Sequence, residues 1–252
     1  MISWLLPQAS SFASTVDGLV LLISVIVGVW FILAEAVLFG LIVKFQARDG
    51  VRGRYVSGEE KTEKRWVSYP HYAVIVFDII IIAAALRVWN DVKVVAPPSE
   101  EQVRIVAQQW SWTFVHAGLD GRLDTADDIR TVDDMYVRRG RVYTFELHSR
   151  DVVHSFSVPA FRLKQDAVPG RIIRGWFRPT LEGTFDIQCA EMCGLGHGLM
   201  PGRVHIGSPT QHEEWMRGLT NPGATARTVT PATPVTRVAA NDPAYAHPGE
   251  TR

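Results

Sequence analysis

Two stretches of this chain are almost free of charge. Gly18–Val43 has Glu35 as its one charged residue, and Tyr69–Trp89 has Asp78 and, near its end, Arg87. A bilayer core needs roughly 20 apolar residues in a helix, so the pattern predicts membrane-spanning helices over about 17–45 and about 69–90. From Val94 onward apolar and polar residues interleave in short runs bounded by Gly or Pro, such as "QVRIVAQQWSWTF", "RIIRGWFRP", "GTFDIQCA" and "GRVHIG". "MYVRRGRVYTFELHS" predicts a hairpin turning at Arg139-Gly140. No long run of helical period precedes Gln211. Many short strands with turn signals predict an all-β sandwich or barrel. After about Gly218 the chain becomes rich in Pro, Thr and Ala, a composition that buries no core and predicts disorder. The expected organisation is a transmembrane helical hairpin over 1–93, an extracytoplasmic domain over 94–217 and a disordered tail over 218–252.

Charge sets the orientation. The loop "KFQARDGVRGRYVSGEEKTEKRW" carries Lys44, Arg48, Arg52, Arg54, Lys61, Lys64 and Arg65. Basic residues in short loops stay on the cytoplasmic side. Both termini and the domain after Val94 then face away from the cytoplasm, towards the periplasm or cell exterior in a bacterium. The leader "MISWLLPQASSFASTVD" has no basic side chain, and the apolar run exceeds the core of about 7–15 residues in a signal peptide, so the first helix is expected to be retained. Glu35 and Asp78 fall inside the spans, where ionisable groups are costly and face protein or water. Net charge is zero, with no basic excess that would suggest nucleic acid as a partner.

The chemistry concentrates in "CAEMCGLGHGLM", which holds both cysteines of the chain. Its donors are Cys189, Cys193, His197 and Met200, with Glu191 between the cysteines. Three readings compete. A disulfide is permitted outside the cytoplasm, but the bridge would be cramped and would leave His197 and Met200 unexplained. Structural zinc takes Cys and His, but it has no use for Met and prefers closer cysteine pairs. Thiolate, imidazole and thioether together are the soft set of copper electron-transfer sites. One cysteine suffices for a single copper, whereas two thiolates can each bridge two metals in a compact Cu2S2 core. Such a core needs a second imidazole, and "RDVVHSFSVPAF" offers His154 on a strand end.

At these residues the sequence resembles a known family. "DVVHSFSVP", "LKQDAVPGR" and "CAEMCGLGHGLMP" are similar to the dicopper CuA domain of cytochrome c oxidase subunit II. The helical pair resembles that subunit's membrane hairpin, and "QQWSWTF" its tryptophan-rich segment. The resemblance spans roughly residues 15–217. It implies a cupredoxin-like Greek-key β-sandwich. It also implies one copper on His154 and Met200 and another on His197 and the backbone carbonyl of Glu191, with Cys189 and Cys193 bridging both. The implied activity is that of the electron-accepting subunit of a cytochrome c oxidase in the respiratory chain. Single electrons pass from cytochrome c to haem-bearing catalytic subunit I, which reduces oxygen to water with proton translocation.

Further roles follow from the resemblance alone. Trp110 corresponds to the exposed tryptophan at the cytochrome c docking face, while Trp112 reads as a core residue. Glu63 corresponds to an acid near the mouth of a proton path. The Glu191 side chain corresponds to a magnesium ligand at the subunit boundary, and Asp166 and Arg171 lie near that boundary as structural groups. Glu35 and Asp78 lie outside the strongest part of the match; as ionisable groups inside the membrane they read as contacts to the partner subunit and not as a proton path. Also outside the strongest part of the match, Asp120, Asp124, Asp127 and Asp128 in "GLDGRLDTADDIR" suggest a calcium loop by their clustered oxygens. They lack EF-hand spacing, and a solvated acidic hairpin explains them too. A quinol oxidase subunit would lack the copper ligands. A nitrous-oxide reductase would lack the helical hairpin. A copper carrier would not need both bridging thiolates and the docking tryptophan. No Cys-x-x-Cys-His is present, so no c-type haem is fused to the tail.

Overall fold

The computed structural model describes residues 6–50, 52–53, 56–220 and 236–237. It contains two compact units, one of residues 15–95 and one built from the N-terminal 14 residues together with residues 96 onward.

The first unit is helical. α1 spans Ala13–Lys44 and α2 spans Lys61–Trp89, the latter running on as a π-helical turn over Asn90–Val94. Both are long and apolar enough to cross a membrane, and neither buries its apolar window within the protein. Leaving so much apolar surface bare is stable only against lipid or another protein. α2 starts at Lys61, eight residues before the expected 69. Lys, Glu and Arg are good helix formers, and Glu63 closes the first turn by accepting the Gly58 N–H at 2.9 Å. Gly58 lies two residues before the N-cap, Glu60, which makes no side-chain cap bond, so Glu63 ties the incoming chain to the first turn. Pro70 sits inside α2 and removes one helical hydrogen bond, which the helix tolerates.

The second unit is a sandwich. In chain order its strands are β1 Glu101–Gln108, β2 Ser111–His116, β3 Ile129–Val132, β4 Asp134–Arg138, β5 Tyr143–Ser149 and β6 His154–Val158. β7 Leu163–Ala167, β8 Ile173–Phe177, β9 Gly183–Cys189 and β10 Gly202–Gly207 follow. One sheet has the order β3-β2-β1-β5-β8 and the other β4-β10-β9-β6-β7. A two-residue strand, β11 Thr236–Arg237, extends the first sheet beside β3. Of the 218–252 tail read from sequence as disordered, residues 218–220 end the helix Pro209–Thr220, and the rest apart from β11 lies outside the described residues. Between the sheets lie Trp112, Phe114, Phe145, Phe156, Phe161 and Phe177, all fully buried. Rings of this size dominate a core of this kind.

Two sequence expectations are corrected. "MYVRRGRVYTFELHS" is not a hairpin. β4 pairs in parallel with β10, and β5 pairs in parallel with β1, so the two strands belong to opposite sheets. Gly140, at φ +87°, turns the chain from one sheet to the other. Its N–H bonds Pro179 at 2.8 Å, while the Arg139 N–H bonds Gly207. The domain is also not purely β. α3, Pro209–Thr220, packs Trp215 on Tyr136 and against His116. Pro209 at a helix start and the run "QHEEWM" were its signal.

Residues 9–12, just ahead of α1, belong to the sandwich. Ala9 donates to the Ala160 carbonyl at 2.8 Å and accepts from Thr180, and Ser11 donates to Arg178. The Phe12 ring meets Trp176 edge-on at 5.3 Å. Ala9 and Ala13 are fully buried, so this leader is an integral edge of the fold.

Candidate metal centre

β6 and β9 are neighbours, with Phe156 opposite Cys189 and the Ala190 N–H bonded to the Ser155 carbonyl at 2.9 Å. That register sets His154, at the start of β6, beside Cys189, at the end of β9. The loop from β9 to β10 then brings Cys193, His197 and Met200 back over the same point.

The donor atoms converge. Cys189 Sγ and Cys193 Sγ are 3.8 Å apart, far beyond the ~2.05 Å of a disulfide, so both are free thiols and the disulfide reading fails for this structure. His154 Nδ1 lies 3.9 Å from Cys189 Sγ, and His197 Nδ1 lies 3.6 Å from Cys193 Sγ. Met200 Sδ is 3.4 Å from Cys193 Sγ, and the Glu191 carbonyl oxygen is 3.3 Å from Cys189 Sγ. Among the described residues, His154, Cys189 and Cys193 form the one group of three or more His, Cys, Asp or Glu side chains close enough to share an ion. His154, Cys193 and Met200 are buried, and Cys189 is half-buried. Burial, followed by the neighbouring Cys189 thiol, pushes the Cys193 thiol up to about 11. A metal binding there must displace that proton.

Three outer contacts hold this cluster. Trp112, fully buried, donates its indole N–H to the Met200 carbonyl at 3.1 Å. Gln109, at the tip of the β1–β2 hairpin, donates its side-chain amide to the Cys193 carbonyl at 2.7 Å. Asp151 accepts His154 Nε2 at 2.8 Å through one oxygen and the Gln109 backbone N–H at 2.7 Å through the other. Burial of Asp151 opposes its ionisation, but bonds from Gln109, His154 and Val152 outweigh that and hold the carboxyl below its ordinary value. Sequence reasoning missed Gln109 and Asp151. The signal for Asp151 was present: a carboxylate three residues before a candidate histidine ligand suits the outer partner of a metal-bound imidazole.

Trp110 sits at the same hairpin tip and is 40% exposed, whereas Trp112 is in the core, as expected from sequence. The Trp110 ring lies against the backbone of Gly194 and Gly196 in the cysteine loop. Met192, Leu195 and Leu199 are exposed on that loop. The remaining expected residues fall elsewhere. Asp166 accepts the Ser155 hydroxyl at 2.7 Å and Lys164 at 2.8 Å. Arg171 is exposed, and so is Glu191, whose carbonyl alone faces the cluster. Glu63 is in the first turn of α2, where it accepts the Gly58 N–H, and Glu35 and Asp78 lie along the helices.

The four aspartates do not form a calcium cage. Asp124 pairs bidentately with buried Arg104 at 2.7 and 2.9 Å, and Asp128 accepts the Asp124 N–H at 2.8 Å. Asp120 accepts the Arg122 N–H at 2.8 Å, and Asp127 accepts the Thr125 hydroxyl at 2.7 Å. Their oxygens serve the loop's own backbone and an arginine, so the calcium expectation gives way to a loop pinned over β1.

The family model for the periplasmic domain of cytochrome c oxidase subunit II matches residues 128–206. The chain is 32% identical over 197 residues to the alternative cytochrome c oxidase subunit 2 of Bradyrhizobium diazoefficiens, covering 69% of each protein. It is 27% identical to the cytochrome c oxidase subunit 2 of Cereibacter sphaeroides, covering 90% of this chain and 84% of that one. Among solved structures, the periplasmic domain of subunit II of cytochrome oxidase (CoxB) of Bradyrhizobium japonicum aligns with a TM-score of 0.44 and 24% identity, over 49% of this chain and 95% of that one. Identity at that level, sustained over two thirds of both the chain and its Bradyrhizobium diazoefficiens relative, makes this protein a member of the cytochrome c oxidase subunit II family.

Proposed function

We propose that this chain is the electron-accepting subunit of a membrane-bound haem-copper oxidase, holding a dinuclear copper centre that takes single electrons from cytochrome c and delivers them to haem-bearing subunit I. The carrying observation is the convergence of two free thiols, two imidazole Nδ1 atoms and one thioether in one partly buried cluster. Zinc in a closed site takes four ligands and no thioether, so it leaves Met200 without a role. The set His154, Cys189, Cys193, His197 and Met200, with the Glu191 carbonyl, suits two coppers. Copper held there would supply a one-electron couple.

The chain's own work is rigidity and shielding. Cys189, at the end of β9, and Cys193, four residues into the loop that follows, would hold the centre together. Asp151 orients the His154 ring, Trp112 fixes the Met200 backbone, and Gln109 fixes the Cys193 backbone. Ligands that do not move on a change of charge keep reorganisation small. Trp110, half-exposed and seated on the loop between Cys193 and His197, is the receiving surface for the donor, since exposed aromatics serve as interface anchors.

The sandwich is extracytoplasmic, and the loop between α1 and α2, rich in Lys and Arg, faces the cytoplasm. Glu191 offers its exposed side chain to magnesium at the subunit boundary. Glu63 is the proton-path residue in the family's pattern. Proton translocation belongs to the assembled oxidase.

Electron paramagnetic resonance with metal analysis tests the centre. The expected result is two coppers per chain and a seven-line hyperfine pattern from one electron shared between them. A four-line pattern with one copper, or zinc alone, would sink the reading.

A further inference from the structure

One residue, Asp133, carries the chain from the first sheet to the second. β3 ends at Val132 and β4 begins at Asp134, and the two strands lie in opposite sheets. The β2–β3 register puts Asp133 opposite Trp112, one step beyond the pair Thr113 and Val132. In an antiparallel ladder such a pair can exchange two backbone bonds. One of them forms as expected: the Asp133 N–H donates to the Trp112 carbonyl at 2.8 Å. The Asp133 carbonyl instead turns to the second sheet, where it accepts the Arg203 N–H of β10 at 2.7 Å. That turn sets Asp133 at φ +60°, a region that aspartate enters more readily than most residues. Its own carboxylate fills the place of the diverted carbonyl, with Oδ1 accepting the Trp112 N–H at 2.8 Å.

The Met200 side of the metal centre hangs on that substitution. Trp112 is fully buried, and its indole N–H donates to the Met200 carbonyl at 3.1 Å. Arg203, at the exit of the same loop, is tied to Asp133 itself. Between them Gly202 lies against the corner. A Cβ there would stand 3.0 Å from the Asp133 carbonyl oxygen and 3.4 Å from Trp112 Cδ1. The segment from Met200 to Arg203 is thus closed in a ring with Trp112 and Asp133. Without the carboxylate, the Trp112 N–H loses its acceptor in a buried strand. An unpaired buried donor is costly, so the strand that carries the indole must shift to relieve it.

We infer that Asp133 is a positioning residue for the metal centre: through the Trp112 backbone it sets where the Trp112 indole stands, and through the indole where Met200 stands. It acts at one remove, since its bonds go to Trp112 and Arg203. The inference rests on the copper reading above, in which Met200 is a weak axial donor whose placement tunes the potential.

The test uses the full chain, purified in detergent. Asp133→Gly keeps the left-handed corner and removes the acceptor, whereas Asp133→Asn keeps both. In the copper-loaded chain, Asp133→Gly should shift the potential in the same direction as Met200→Leu and alter the hyperfine splitting. Asp133→Asn should stay at the wild-type values. In a Met200→Leu background Asp133→Gly should add little, because the two changes act on one contact and are not additive. In the metal-free chain, carrying isotope-labelled tryptophan, the Trp112 indole N–H should exchange with solvent about tenfold or more faster in Asp133→Gly than in the wild type. Wild-type potential and splitting in Asp133→Gly, with only a lower melting temperature, overturn the inference and leave Asp133 a corner of the fold. So does Asp133→Asn shifted as far as Asp133→Gly, since the acceptor would be present and the placement lost. So does a shift of equal size in both Met200 backgrounds. If Asp133→Gly does not fold, Trp112→Phe removes the indole N–H and keeps a ring in the core. It should give the same shift, and a wild-type potential there overturns the inference. A wild type that does not hold two coppers overturns the copper reading instead. The indole exchange in the metal-free chain then decides the positioning, and unchanged exchange in Asp133→Gly overturns it.

Discussion

Asp151 Oδ1 lies 2.8 Å from His154 Nε2, while Oδ2 of the same carboxylate holds the Gln109 backbone N–H. A carboxylate accepts and does not donate, so Nε2 carries the proton and Nδ1 is left bare towards Cys189. One side chain therefore fixes the tautomer of a candidate ligand and the root of the hairpin that carries Trp110.

Removing that anchor should weaken the metal centre without emptying it. Outer partners of metal-bound histidines are typically worth 10–100-fold in affinity, so Asp151→Ala should lose copper to a competing chelator about tenfold more readily. Its hyperfine splitting should also change, because the His154 ring is free to turn. Wild-type affinity together with a wild-type spectrum would reduce Asp151 to a surface turn residue.

Met200 should tune the centre more than hold it. A thioether is a weak axial donor, and axial identity is a lever on copper potentials. Met200→Leu conserves volume at a buried position, so packing is nearly kept. The variant should retain both coppers but shift in potential, with ~59 mV for each tenfold change in a one-electron equilibrium. Cys193→Ser should instead lose the dinuclear signal. Potentiometry on both variants separates the cases, and a wild-type potential in Met200→Leu would make Met200 a packing residue.

The two long helices, the run of short strands and the donor loop were legible in the sequence because each rests on local pattern. Trp110 and Trp112 are two positions apart, a spacing that by itself puts both on one face of a strand; Trp110 stands in the turn ahead of β2, and the family resemblance is what told them apart. The false hairpin at Arg139-Gly140 shows where locality ends. Turn residues mark where a chain bends, but the partners of β4 and β5 are β10 and β1, far away in sequence. Asp151 and Gln109 were hidden for the same reason: Gln109 reaches Cys193 across 84 positions.

Acid should loosen α3 before it strips the sandwich. Burial, with nearby His212 adding to it, pushes His116 down to about 3, and burial likewise takes His212 down to about 4. Both rings are thus neutral in the fold, whereas the unfolded chain protonates them below about 6.5. Their stabilising contribution is complete above that value and is lost as pH falls towards the folded values. The slope is about 1.4 kcal/mol per pH unit for each such group. Melting followed between pH 7.5 and 4.5 should show this loss. His116→Phe keeps the edge-on contact with Trp215 and should flatten the acid limb, so an unchanged slope in that variant would rule His116 out as the source.

Gly196 should be required for Trp110 to sit where it does. A Cβ at position 196 would lie 2.3 Å from Cδ2 and 2.6 Å from Cγ of the Trp110 ring, closer than non-bonded atoms approach. The indole is therefore in contact with bare loop backbone one residue from His197. Gly196→Ala must push the ring outward or strain the loop, and overpacking of this kind costs about 1–3 kcal/mol. Trp110→Ala alone should slow electron receipt from cytochrome c while leaving the copper spectrum nearly unchanged, because the ring touches the loop but ligates nothing. Combining the two variants isolates the contact, since residues that touch are non-additive. Gly196→Ala should destabilise the protein and slow electron receipt when Trp110 is present, and do little of either once Trp110 is Ala. If Gly196→Ala costs the same in both backgrounds, the glycine serves the loop's own conformation and the seating of Trp110 on it is incidental.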